Sequence, residues 1–91
     1  MSKLIRRYYR FYGRVQGVGF RYQMRRHAAE LGLTGRVKNL YDGSVEAEVQ
    51  GTADALLKLL ALLDRDPFIR LERVDGRDLP LNSEERGFIA E

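Results

Sequence analysis

The stretch GRVQGVGFR, Gly13 to Arg21, places glycines at 13, 17 and 19 and an arginine two residues after the last of them. It joins a strand-like run to a helix-like one. At such a junction unpaired backbone N–H groups gather, and the helix dipole adds positive potential. Gly17 and Gly19 let the backbone curl so that successive N–H groups converge, a nest suited to a phosphate. Arg21, in the first turn of the helix, can aim its planar fork into the same concavity and match two phosphate oxygens. An arginine at that end opposes the helix dipole, which favours an anion nearby. The plainer alternative is a tight strand-to-helix turn with Arg21 in solvent.

The spacing G-x-x-x-G-x-G is not the dinucleotide-binding GxGxxG, and no GK[ST] follows it. Val15 and Arg21 instead reproduce the ends of the C-x5-R loop of cysteine-dependent phosphatases, with valine where the nucleophile would stand. Such a loop can bind a phosphoryl group but has no side chain to attack it, so water is the expected nucleophile. A second candidate is Asn39, just before Tyr41-Asp42-Gly43. Its amide can accept from water and donate to a phosphoryl oxygen. Asparagine is also simply a common residue beside a hairpin turn. The single histidine, His27, falls mid-helix near the flank of the apolar face, where packing or solvation is expected rather than catalysis.

These groups need elements to position them. KLIRRYYRFYG, residues 3–13, reads as a strand with Tyr9 and Phe11 on one face and Tyr8, Arg10 and Tyr12 on the other. A helix is expected from about 20 to 31, with Phe20, Met24, Ala28 and Leu31 on its apolar face. Gly32 is its expected C′ glycine, and Leu33 can fold back on the last turn. LTGRVKNL and SVEAEVQG flank a turn at Asp42-Gly43, two residues that tolerate positive φ, and so predict a hairpin. Thr52 reads as an N-cap for a leucine-rich helix over about 53–64, which Asp66-Pro67 ends. FIRLERVDG is a further strand, and Phe88-Ile89 a short final one. The order β-α-β-β-α-β is that of the split βαβ fold. The expected fold class is α+β: a ferredoxin-like sandwich with two helices on one face of an antiparallel sheet.

The chain has 91 residues, enough for one domain over 1–91 with a small core. It has no cysteine, which excludes disulfides, thiolate metal sites and cysteine nucleophiles. The acidic residues are scattered and show no metal-ligand spacing. No signal-type start and no apolar run of membrane length are visible, so the expected compartment is the cytoplasm, with no membrane partner. The net charge of +3 suits anionic ligands, but an excess of this size is as common in proteins that bind none.

Taken together, GRVQGVGFR at 13–21 and GLTGRVKNLYDGSVEAEVQG at 32–51 resemble the two signatures of the acylphosphatase family, the second having a Gly-x-Val-x-Asn core. The match is dense from Gly13 to Gly51 and compatible to the end. The resemblance implies that Arg21 is the catalytic arginine that binds the phosphoryl group, assisted by loop N–H groups of Gln16, Gly17, Val18, Gly19 and Phe20. It implies that Asn39 orients the attacking water. The implied reaction is hydrolysis of the carboxyl–phosphate bond of a small-molecule acyl phosphate to a carboxylate and inorganic phosphate, with no metal and no cofactor; the chain is expected to be a monomer. Three positions depart from the family pattern: Arg36, where an aromatic residue is frequent; Leu40, where Thr or Ser often follows the asparagine; and DRDPF, where GP is usual.

Two other readings follow from the residues. RRYYRFYGR interleaves aromatics with arginines, and RNA-recognition motifs share this fold order. However, SVEAEVQG is acidic and lacks stacking aromatics, so nucleic acid is not an expected partner. The leucine at position 40 also admits a domain that binds phosphoryl ligands and turns them over poorly.

Overall fold

Side-chain alternation sets the faces of the first strand, β1 (Leu4–Arg14). Tyr9 and Phe11 are buried, while Tyr8, Arg10 and Tyr12 line the opposite face together. The computed structural model describes residues 3–91, so the first two residues of the expected 1–91 unit lie outside the described residues. The glycine loop leads into α1 (Phe20–Glu30), which buries Phe20, Met24 and Ala28. Phe20 meets Phe11 with ring centroids 5.0 Å apart, locking the helix start onto the first strand. At the helix end, Leu33 N–H donates to Ala28 O at 2.8 Å and Gly32 N–H to Ala29 O at 3.3 Å. This paired closure folds Leu33 back into the core, as its sequence position predicts.

β2 (Thr34–Asn39) and β3 (Val45–Thr52) form the hairpin, with Asn39 opposite Val45. Its turn differs from expectation. Only Gly43 takes positive φ, at 93°, and Asp42 does not. Gly43 N–H donates to Leu40 O at 3.2 Å and Leu40 N–H to Ser44 O at 2.8 Å, the pattern of a three-residue loop with a glycine bulge. Asp42 contributes through its carboxylate, which accepts from Ser44 N–H at 3.0 Å and from the Ser44 hydroxyl at 2.5 Å.

α2 (Ala53–Arg65) starts at Thr52, whose hydroxyl accepts from Ala55 N–H at 3.1 Å. It buries Ala55, Leu56, Leu59 and Leu63 and leaves Leu57 two-thirds exposed. Asp66 ends it, with its carboxylate accepting from Phe68 N–H at 2.8 Å. β4 (Arg70–Leu79) runs past the predicted segment because β1 offers partners down to Arg6. β5 (Phe88–Ala90) closes the far edge.

The strand order is β4-β1-β3-β2-β5. The expected antiparallel sheet holds for four strands and becomes mixed at its edge, where β5 pairs parallel to β2. The direction follows from the chain path: β4 ends at the end of the sheet remote from the glycine loop, so the chain crosses there and must return in the sense of β2. One consequence matters for the site. Because β1 and β2 are each antiparallel to β3, they run the same way. The C-terminal ends of β1, β2 and β5 therefore lie at one end of the sheet.

Candidate active site

The residues leaving β1 alternate between anchoring and presenting. Val15 is buried, Val18 packs against the core and Phe20 is buried, so three apolar side chains pin the loop. Gly17 and Gly19 between them are exposed and take φ of 72° and 80°, a conformation that lets the backbone curl outward without a side chain in the way. Gly19 is the N-cap of α1, which has no side-chain cap and no acidic residue in its first turn. Gln23 N–H donates to Gly19 O at 2.9 Å and opens the helical ladder. The N–H groups of residues 16–22 take no partner among the described residues. An array of unpaired donors at a helix start is an anion-accepting geometry.

The C-terminal end of β2 delivers Asn39 to the same place. Val15, Gly17, Gly19, Phe20, Arg21 and Asn39 line one concavity of about 380 Å³. Among the residues picked from sequence, Arg21 and Asn39 face it, with Gly17, Gly19 and Phe20 of the loop. Gln16 and Val18 are not part of its wall. Arg21 is exposed and its guanidinium donates to the backbone oxygen of Glu91 at 2.5 Å. That single contact leaves the other N–H groups of the fork without a protein partner among the described residues.

Four features escape sequence reasoning. Tyr22 and Arg25 of α1 join the lining. Arg25 lies one turn after Arg21, and that i, i+4 spacing was a readable signal. Ala90 also lines the concavity, and Glu91 receives Arg21, both because β5 adds beside β2. Nothing in the local sequence announces that pairing. The fourth is the Gln16 side chain, which donates to Leu40 O at 2.6 Å and to Ser44 O at 2.9 Å. It fastens the glycine loop to the turn that begins directly after Asn39. At Leu40 the link to the loop runs through the carbonyl, so no hydroxyl is needed for it.

The turn is in turn braced. Arg10 donates to the Ser44 hydroxyl at 3.0 Å and to the Asp42 carboxylate at 2.6 Å. Hydrogen bonds from Ser44, supported by Arg10, hold the Asp42 carboxyl down at about 2, well below its usual range. Arg36 is elsewhere: it bonds Glu46 at 2.7 Å and Glu48 at 2.9 Å on the open face of the sheet and does not line the concavity.

The fold and this concavity define a small α/β sandwich with an anion-accepting loop, one arginine and one asparagine at a common end of its sheet. The acylphosphatase family pattern matches residues 7–90. The chain is 48% identical to an acylphosphatase of Petrotoga mobilis over 73 residues, 79% of this chain and 82% of that protein. It is 45% identical to one of Thermococcus kodakarensis over 74 residues, covering 80% and 81%. The crystal structure of acylphosphatase from Bacillus subtilis superposes with a TM-score of 0.87 at 30% identity, covering 98% of this chain and 99% of that one. The chain belongs to the acylphosphatase family, hydrolases that act on acyl phosphates. No helix among the described residues is long and apolar enough to cross a membrane.

Proposed function

We propose that the concavity is the catalytic centre and that it works by positioning and charge stabilisation alone. The N–H groups of Gly17, Gly19 and Phe20, which line the concavity, hold the phosphoryl group of a small-molecule acyl phosphate with the Arg21 guanidinium, and the adjoining N–H groups of Gln16 and Val18 complete the loop's donor array. The Asn39 amide holds the water that attacks phosphorus in line, opposite the carboxylate. The observation that carries this reading is the convergence of Arg21, the loop and Asn39 on one concavity.

The chemistry asks for no more. A carboxylate leaves with a conjugate-acid pKa of about 4, so no general acid is required. Phosphoryl transfer passes through a loose transition state, in which charge on the phosphoryl oxygens is what must be met. One preorganised donor can contribute ~3 kcal/mol, and the site offers several. Phosphate monoesters, with poor alkoxide leaving groups, normally need an acid or a metal and are outside this reach. The reaction therefore proceeds without metal, releasing a carboxylate and inorganic phosphate. The chain acts as a monomer in the cytoplasm.

A steady-state assay of benzoyl phosphate hydrolysis in the presence of a chelator tests this directly. Turnover is expected to persist, with inorganic phosphate inhibiting competitively. Activity that appears only on adding a divalent metal, or non-competitive phosphate, overturns the mechanism.

A further inference from the structure

The concavity does not end at Arg21. A second hollow of about 380 Å³ continues along α1, lined by Tyr22, Arg25, Arg26, Ala29 and Glu30, and it shares Tyr22 and Arg25 with the first. These side chains sit at helical spacing, so one stripe of α1 floors a trough leading away from the phosphoryl-binding end. Its charges are distinct. Arg26 is committed to its own helix, bonding Gln23 at 3.0 Å and lying 3.6 Å from Glu30. Arg25 makes no hydrogen bond or ion pair among the described residues and is exposed at the junction of the two hollows. The Tyr22 ring, 66% exposed, stands beside it as an uncovered aromatic wall.

We infer that the trough is the acyl-group subsite and that Arg25 selects acyl phosphates whose acyl moiety carries a second anionic group. This rests on the reading of the concavity as the phosphoryl site. The leaving carboxylate must point away from Asn39, since attack is in line, and the acyl chain must then exit over α1 or into solvent. Arg25 follows Arg21 by four residues, a rise of about 6 Å along the helix. A flexible arginine one turn on, lining both hollows, is within reach of a carboxylate at the far end of a four-carbon acyl chain. A free guanidinium beside an aromatic wall forms charge-assisted hydrogen bonds with such a carboxylate and has none to give up first.

The test compares succinyl phosphate with benzoyl phosphate, by kcat/KM, in the full chain and in Arg25→Ala and Arg25→Lys. The ratio of succinyl to benzoyl values is expected to fall about tenfold in Arg25→Ala, through KM, as expected for one lost ion-paired contact. Arg25→Lys is expected to restore part of it, and added salt to lower the ratio in the full chain but not in Arg25→Ala. A ratio unchanged within twofold in Arg25→Ala, with both substrates still turned over, overturns the inference and leaves the active-site reading intact. Failure of the full chain to hydrolyse either substrate overturns the active-site reading instead. Circular dichroism of both variants checks that the helix content of the chain is retained.

Discussion

Arginine sits in two opposite settings in this molecule. On the open face of the sheet, away from the helices, Arg6 bonds Glu48 at 2.7 Å and Glu85 at 3.0 Å, and Arg36 bonds Glu46 and Glu48. Burial there works against charge, yet the hydrogen bonds from Arg6 and Arg36 hold the Glu48 carboxyl below its usual range. The lattice closes charge on charge: cations and carboxylates alternate across neighbouring strands, and Arg6 Nε alone is left buried without a partner among the described residues. At the end of the sheet, Arg21 and Arg25 face no side-chain carboxylate among the described residues, beside a row of unpaired N–H groups. The net charge of +3 distinguishes neither region. What distinguishes them is pairing: the guanidiniums of the sheet face already sit on carboxylates, and those at the sheet end can still meet an incoming anion.

Substitutions that break this contrast should separate activity from stability. Arg21→Ala has the largest expected effect: a loss of benzoyl phosphate turnover of about 10³-fold or more, since a transition-state donor and its charge go together. Competition by inorganic phosphate should vanish with it, and retained competition would show that Arg21 is not the grip. Asn39→Ala comes next, lowering kcat by ~10²–10³-fold through loss of one oriented polar contact to the water. Its phosphate inhibition constant should stay within about twofold, which separates water positioning from phosphoryl binding.

Gln16→Leu probes the tie between the two halves of the site. It removes the bonds to Leu40 O and Ser44 O without touching the concavity wall, and a reduction in kcat of about tenfold is expected from the loosened geometry. An unchanged kcat would mean the apolar anchors Val15, Val18 and Phe20 hold the loop by themselves. Glu48→Gln addresses the closed lattice instead. A loss of about 1 kcal/mol in urea unfolding is expected, with kcat unchanged, because Arg6 and Arg36 each keep a second carboxylate.

The smallest effect concerns pH. Asp42 has a carboxyl held at about 2 in the folded chain against an ordinary value of 3.8. A depressed carboxyl contributes stability in full above the ordinary value and loses it as pH falls from 3.8 through about 2. The acid limb of the stability curve should therefore be shallower in Asp42→Asn over that window, as read by urea midpoints at a series of pH values. An acid limb of equal slope in both proteins would assign no such role to the turn.

Much of this was legible in the chain itself, for a common reason. Wherever a residue's role is set within a few neighbours, periodicity and turn chemistry name it. Phe20, Met24 and Ala28 mark a helix face, Thr52 caps α2, and Gly32 with Leu33 closes α1 through bonds spanning six residues. The glycine loop and Arg21 belong to this class, since a strand-to-helix junction with its own donors is local. Asp42 shows the limit: its place in the turn was readable, but its contribution through a carboxylate held by Ser44 and Arg10 needs Arg10, thirty-two residues away.

Other features were decided only when the chain closed on itself. Asn39 reaches the loop because β1 and β2 flank β3 and run in the same sense, an approach that the split βαβ order allows and the observed strand pairing realises. Gln16 was read from sequence for its N–H alone, and only the approach of the hairpin gives its side chain the two carbonyls it holds. The parallel addition of β5 brings Ala90 and Glu91 to the site from the far end of the chain. The residue types and spacing thus determined the local elements and marked the loop, Arg21 and Asn39 as candidates for chemistry. The tertiary structure decided which of them meet, because a site at a sheet end is assembled by strand order and direction.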